Sequence, residues 1–365
     1  MRLSGIVTYI DSKICKIIVI CIWICRLCAI YNMRLPLKNG RQAKETVSIK
    51  VLFYSKEFVK IHGAILNEMN GHEIDTADEE TIKEKIGLAE ILVTRPGGGV
   101  GAELLRAARS LKLQQQWGAG LEGIDLNTCR ELGIAVCNVP SRGTGNAEGV
   151  AEIALLHMLL LGRKYGFAQE NARTGRFFSP SGVSLWRKTV CVVGLGNLGR
   201  TIANRLAAME MNVKGVNRSP AESSCLEKMG VKEFFSLDRL REAVPGCRFV
   251  VAALAFKDET RGLFNESFFQ AMDKGSFFIN VARGGLVVEE ALLQALDEKH
   301  LAGAGLDVLT EEPPRLNNSL LNHPLVTLTP HIGGLTDEAL RGILNFIRGN
   351  VNRLSRGEEP LSRII

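Results

Sequence analysis

The sequence predicts an α/β protein built on parallel sheets, and three observations predict it. From Val47 onward, short apolar runs rich in β-branched residues alternate with helix-spaced segments. One such run, Lys188-Thr189-Val190-Cys191-Val192-Val193, feeds directly into Gly194-Leu195-Gly196-Asn197-Leu198-Gly199. Behind it, residues 200–206 continue at helical spacing, so the glycines fall between a strand and a helix. Gly194 suits the turn, Gly196 the close approach of a diphosphate to the main chain, and Gly199 the packing of helix on strand. Free amides at the helix start would hold the anion, so this is a dinucleotide-binding unit of the Rossmann type.

At 365 residues the chain is long enough for two domains with their own cores. Its charge of +6 sits in residues 1–46, where eight Lys/Arg face Asp11 and Glu45; the remaining 37 Lys/Arg and 37 Asp/Glu cancel. A neutral body carries no footprint for nucleic acid, which is not expected as a partner. Nine cysteines, five of them scattered through the body, point to a reducing compartment rather than a disulfide framework. No metal is expected: Cys25 and Cys28 form a lone C-x-x-C in an apolar stretch, without a second ligand pair nearby.

Residues 1–46 form a basic, apolar extension. Its uninterrupted apolar run, residues 17–25, is nine residues long, short of the roughly twenty of a membrane span but long enough for a signal-peptide core. No clear small-x-small cleavage site follows. A disordered extension, or an upstream start with Met33 as the true beginning, is therefore expected over a targeting or anchoring segment. The expectation is a cytoplasmic protein without stable membrane association, with organelle targeting left open by the extension.

Taken in order, residues 48–53, 89–94 and 111–116 read as strands, with a helix at 102–108. Gly118-Ala119-Gly120-Leu121-Glu122-Gly123 follows the third strand, at the carboxyl edge where such sheets place ligands. Residues 134–139 give another strand. Residues 146–161 read as a long apolar helix crossing to the next domain, buried on several sides and a candidate homodimer interface. Later strands fall at 248–254, 276–281, 303–307 and 326–329, and an amphipathic helix at 337–354 follows.

The second strand of the dinucleotide unit ends in Val216-Asn217-Arg218-Ser219. An NAD-selective site usually places an acid there; Asn217 is neutral, and Arg218 and Ser219 can donate to a 2′-phosphate. One charge-assisted hydrogen bond contributes roughly 1.5–3 kcal/mol, about ten- to a hundredfold in affinity. NADP(H) is therefore favoured, with NAD(H) as the alternative. Three later strands end in chemistry-bearing residues. Asn280-Val281-Ala282-Arg283-Gly284-Gly285 offers a guanidinium that can grip a carboxylate bidentately. Residues 305–313 end in Glu311 and Glu312, and Thr329-Pro330-His331-Ile332-Gly333-Gly334 carries a histidine.

In order and spacing these stretches resemble the D-isomer-specific 2-hydroxyacid dehydrogenases, the family that includes phosphoglycerate dehydrogenases and glyoxylate and hydroxypyruvate reductases. The resemblance covers residues 47–360 and rests on GLGNLG (194–199), NVARGG (280–285), GLDVLTEEP (305–313) and TPHIGG (329–334). It implies two Rossmann-like or flavodoxin-like parallel-sheet domains. The NAD(P)-binding one, residues 146–332, is inserted in a substrate domain of residues 47–145 and 333–365.

By that resemblance Arg283 binds the carboxylate and carbonyl of a 2-oxo acid, beside the amides around Ala119, Gly120 and Leu121. His331 is the general acid and Glu312 its partner, since a carboxylate stabilises an imidazolium beside it. Asn197 and Leu198 lie against the diphosphate with Gly194, Gly196 and Gly199. Ala282 and Asp307 hold the nicotinamide carboxamide, Leu254, His331 and Gly333 complete the cofactor contacts, and Asn146 sits near nicotinamide and substrate. The activity implied is reduction of glyoxylate or hydroxypyruvate. Its rivals are 3-phosphoglycerate oxidation, with Arg95 and Arg142 as candidate cations, and a dinucleotide-sensing scaffold like the C-terminal binding protein corepressors. The acyl pocket is expected to depend on loops around Trp117, Trp186 and Arg95. Two departures stand out: the usual proline after Leu254 is Ala255, and Asn217 replaces the usual acid. Glutamate at 312 matches the hydroxyacid enzymes rather than their formate-oxidising relatives.

Overall fold

The computed structural model describes residues 47–69 and 71–365. The basic extension, with Met33, Cys25 and Cys28, lies outside the described residues. Two sheets, parallel throughout, organise the rest. The first comprises β1 (Lys50–Tyr54), β2 (Glu73–Ala77), β3 (Ile91–Thr94), β4 (Leu113–Gln116) and β5 (Ala135–Cys137), in the order β2-β1-β3-β4-β5. The second comprises β6 (Thr189–Val193), β7 (Asn212–Asn217), β8 (Val231–Ser236), β9 (Phe249–Ala252), β10 (Phe277–Asn280), β11 (Gly303–Leu306) and β12 (Val326–Leu328), in the order β12-β11-β10-β9-β6-β7-β8. In both, the strand order turns back beside the first strand, the switch point at which doubly wound sheets open a crevice.

Inner strands such as β3, β9 and β10 are buried at every residue, which is why they read as unbroken apolar runs. The edge strands β2 (EIDTA) and β8 (VKEFFS) carry no such signal. Half of an edge strand meets solvent, so polar residues are tolerated there and the apolar pattern that marks a strand is lost.

The crossing helix, Asn146–Gly162, buries Ala147, Gly149, Ala151, Ala154, His157, Met158, Leu161 and Gly162. Ala154, Met158 and Leu161 share a core with Val190, Phe249 and Phe277. The apolarity that suggests an intersubunit face is thus largely accounted for inside the chain, leaving Leu156 and Leu159 exposed. The helix Asp337–Ser355 returns to the first sheet, laying Ile343, Ile347 and Val351 on Ile49, Val51 and Phe53; each such burial contributes roughly 1.5–3 kcal/mol. Its start is capped by Thr336, whose hydroxyl oxygen accepts from Ala339 N at 3.1 Å.

Candidate active site

Register sets the three strand ends side by side: Asn280 of β10 pairs with Leu306 of β11, and Leu306 with Leu328 of β12. The loops bearing Arg283, Glu312 and His331 therefore leave the sheet together. Asn280 shapes the first, accepting from Ala282 N at 3.1 Å and donating to Arg283 O at 2.9 Å. Gly284 presses that loop onto the next, because a Cβ there would stand 1.9 Å from the Leu309 carbonyl carbon.

His331 Nδ1 lies 2.6 Å from Glu312 Oε2, and Glu312 Oε1 accepts from Leu309 N at 2.9 Å. Burial pushes the Glu312 carboxyl up, but its hydrogen bonds with His331 and Leu309 and the charges of His331 and Arg283 hold it below the usual range. With Nδ1 turned to Glu312, Nε2 is the ring nitrogen left for a reacting group. His331 sits at φ 54, a left-handed conformation that needs external support in a non-glycine residue. Asp307 supplies it: its carbonyl accepts from His331 N at 2.8 Å, and its carboxylate from Ile332 N and Gly333 N, each at 3.0 Å, and from the Thr329 hydroxyl at 2.6 Å. Burial raises the Asp307 carboxyl, and these hydrogen bonds only partly offset it.

Arg283 reaches the first sheet. Its Nε donates to Glu122 Oε1 at 2.8 Å and its Nη1 to Ala282 O at 2.8 Å. A Cβ on Gly120 would stand 2.1 Å from Glu122 Oε2 and 2.5 Å from Arg283 Nη2, so the loop carrying Ala119, Gly120 and Leu121 lies against the guanidinium. Asn138 steadies that loop by donating to Ala119 O at 2.9 Å. Glu122 Oε2 is buried without a hydrogen-bond partner among the described residues. Burial raises the Glu122 carboxyl, but the Arg283 charge and hydrogen bond hold it below the usual range. Sequence reasoning did not single out Glu122 as a site residue; the available signal was an acid inside a glycine-rich loop at a sheet's carboxyl edge. Asn146 lies against the glycine three residues after His331, its Nδ2 2.4 Å from where a Gly334 Cβ would be.

The dinucleotide loop fits the group expected of it. Gly194 has φ 99, and a Cβ there would meet Leu254 main chain at 2.6 Å; a Cβ on Gly199 would meet Gly194 O at 1.7 Å. Those two glycines are demanded by packing. Gly196 is different: nothing of the protein lies within 4 Å of its missing Cβ. The helix Asn197–Ala208 begins behind it without a side-chain cap, which leaves its first amides and the space before them for a diphosphate. Asn217 braces the loop, accepting from Leu195 N at 3.3 Å and donating to Ser219 O at 3.1 Å. Arg218 and Ser219 are exposed beside it.

One of the loops expected to shape an acyl pocket lies away from this cluster: Trp186 donates to Glu210 Oε2 at 3.1 Å and lines a cavity with Leu159 and Met209, at the opposite end of the crossing helix from Asn146. Arg95 forms an exposed pair with Glu57 at 2.5 Å, and its loop meets the glycine-rich one, Gly97 N donating to Glu122 O at 2.9 Å. Trp117 packs on Phe58, 4.8 Å between ring centroids, just before the Gly118 loop. Among the described residues no helix is long and apolar enough to cross a membrane.

Comparison with known proteins agrees with this architecture. Residues 155–333 match the D-isomer specific 2-hydroxyacid dehydrogenase, NAD binding domain. The chain is 34% identical over 283 residues to D-3-phosphoglycerate dehydrogenase 2, chloroplastic, of Arabidopsis thaliana, covering 76% of this chain and 44% of that one. It is 33% identical over 298 residues to D-3-phosphoglycerate dehydrogenase of Methanocaldococcus jannaschii, covering 80% of this chain and 55% of that one. The chain thus spans about half the length of the curated relatives it matches. Among solved structures, the pyruvate reductase of Chlamydomonas reinhardtii superposes with a TM-score of 0.75 at 26% identity, covering 87% of this chain and 99% of that one. With the dinucleotide domain matched, relatives similar over three quarters of the chain and the fold shared, the chain belongs to the D-isomer-specific 2-hydroxyacid dehydrogenase family.

Proposed function

We propose that the protein catalyses the reversible NAD(P)H-dependent reduction of a small 2-oxo acid to a D-2-hydroxy acid, with glyoxylate and hydroxypyruvate as the leading substrates. The observation that carries this reading is the His331–Glu312 pair at 2.6 Å, held beside Arg283 at adjoining strand ends. Arg283, with the main-chain amides around Ala119, Gly120 and Leu121, orients the substrate carboxylate and carbonyl. His331 Nε2–H gives its proton to the carbonyl oxygen, while Glu312 at Nδ1 stabilises the imidazolium before transfer. The bound dinucleotide supplies hydride to the carbonyl carbon. Asn197 and Leu198 hold its diphosphate, and Ala282, Asp307, Leu254 and Gly333 line its nicotinamide end. Closure of the crevice between the sheets excludes water.

The exposed Arg218 and the neutral Asn217 support a preference for NADP(H). Turnover with NADPH and NADH, compared in wild type and Arg218→Ala, tests this: the variant raises the NADPH KM about tenfold and leaves that for NADH in place. An unchanged NADPH KM refutes the assignment. A second reading, 3-phosphoglycerate dehydrogenase, is favoured by the names of the curated relatives. A phosphate needs cations near the crevice; Arg95, in an exposed pair with Glu57, and Arg142 are the candidates. Phosphohydroxypyruvate in the substrate panel decides between them.

A homodimer is part of the same proposal. The helix Tyr165–Arg173 buries none of its residues, and Tyr165, Phe167, Phe177, Phe178 and Trp186 are exposed on and after it. So much exposed aromatic surface favours association. Light scattering of the full chain gives twice the monomer mass on this reading and the monomer mass if it is wrong.

A further inference from the structure

Behind the His331 turn runs a polar line, buried at His157 and Asp307 and half-buried at Thr327 and Thr329, whose far end the proposed reaction does not use. His157, on the crossing helix, is completely buried. Its Nδ1 lies 2.8 Å from Thr327 Oγ1 and its Nε2 3.0 Å from Thr329 Oγ1. Thr329 Oγ1 lies 2.6 Å from Asp307 Oδ1, the carboxylate that also takes the Ile332 and Gly333 amides. Room for the imidazole comes from β11: a Cβ on Gly305 would stand 2.5 Å from His157 Cβ and 2.8 Å from Cγ.

The direction of each hydrogen bond follows from the protons available. An ionised Asp307 only accepts, so the Thr329 hydroxyl spends its one proton on it. Thr329 then offers His157 lone pairs alone, so Nε2 carries the ring proton and Nδ1 accepts from the Thr327 hydroxyl. Burial pushes the His157 imidazole down to about 4, in keeping with a ring that stays neutral while His331 cycles. The result is one directed chain: Thr327 to His157 to Thr329 to Asp307.

We propose that His157 is a positioning residue: by donating to Thr329 it commits that hydroxyl to Asp307, and so secures the carboxylate that anchors the turn presenting His331. Its consequence for catalysis rests on the reading of His331 as proton donor; the hydrogen-bond chain does not. The titratable group facing Asp307 from its own loop cluster is His331. The crossing helix presents Val150 and neutral His157, and β10 presents the Asn280 carbonyl, which accepts from Asp307 N at 3.0 Å. Without the His157 donor the Thr329 hydroxyl is free to turn away, and the ionised Asp307 loses support.

The test is the titration of Asp307 in the cofactor-free full chain, followed by carbon NMR of aspartate labelled at the carboxyl carbon, with the resonance assigned by its loss in Asp307→Asn. His157→Gln places an amide nitrogen near the Nε2 position and keeps the donor to Thr329. His157→Asn places its amide near Nδ1 and leaves Thr329 without a donor, while His157→Met fills volume only. The expected result is a wild-type midpoint for Gln and midpoints about one pH unit higher for Asn and Met, with the acidic limb of kcat/KM moving up alongside. Equal midpoints in all four proteins, or Gln displaced as far as Met, would overturn the proposal. Should Met fail to fold, the Gln and Asn pair decides. If wild type turns over no 2-oxo acid, the proposed reaction falls while the titration still decides on His157.

Discussion

His331 is held from two sides, by Glu312 at Nδ1 and by Asp307 through the main chain, so its Nε2 is fixed while the ring stays polarised. Replacing His331 with alanine removes the proposed proton donor and lowers kcat for reduction by roughly 10²–10⁴-fold. Glu312→Gln withdraws the carboxylate charge beside the ring and, with a single oxygen where two accept from His331 and Leu309, gives up one of those hydrogen bonds; kcat for reduction falls, and an undiminished kcat shows that the carboxylate is dispensable. Arg283→Lys keeps the charge but loses the planar fork, which Nε spends on Glu122 and Nη1 on Ala282. Its mark is a raised KM for the 2-oxo acid.

The glycine loop separates packing from binding at the scale of one strand, turn and helix. Gly199→Ala drives a methyl into Gly194 O and costs about 1–3 kcal/mol of stability. Gly196→Ala meets nothing within 4 Å, so its melting temperature stays at the wild-type value while cofactor binding weakens about tenfold. Thermal unfolding and fluorescence titration on both variants read the two effects apart. The same elements show what was legible beforehand. β6 and its helix are marked by an apolar run meeting spaced glycines, and Arg283 and Glu312 by their places after the buried strands β10 and β11; His331 follows the half-buried β12. β2 and β8 are not, because an edge strand need not be apolar on both faces. Glu122 and His157 act through partners 161 and more than 170 residues distant, and no local pattern encodes such a meeting. Trp186 illustrates the reverse: a large aromatic near the motifs whose place, beside Glu210, is decided by tertiary packing.

Across the whole molecule, charge and burial make the fold weaker toward acid. Glu122 and Glu312, held below the usual carboxylate range, lend stability above that range and lose it as pH falls through their folded-state values. His157 is a base kept neutral, its value lowered from 6.5 to about 4, so the unfolded chain takes up a proton first and stability falls between those limits. His157→Gln removes that part, and denaturant unfolding at pH 7 and 4.5 shows a loss smaller by about 2 kcal/mol than in wild type. An equal loss means His157 is already charged in the folded protein. Hydride transfer across the crevice joining the two sheets, with His331 as the proposed proton donor, is read by a single turnover of hydroxypyruvate with cofactor deuterated at nicotinamide C4. Deuterium is expected at C2 of D-glycerate, and its appearance slows by the same factor of roughly 10²–10⁴ in His331→Ala with cofactor bound. Bound cofactor with no label transferred, L-configured product, or undiminished transfer in His331→Ala would contradict this mechanism.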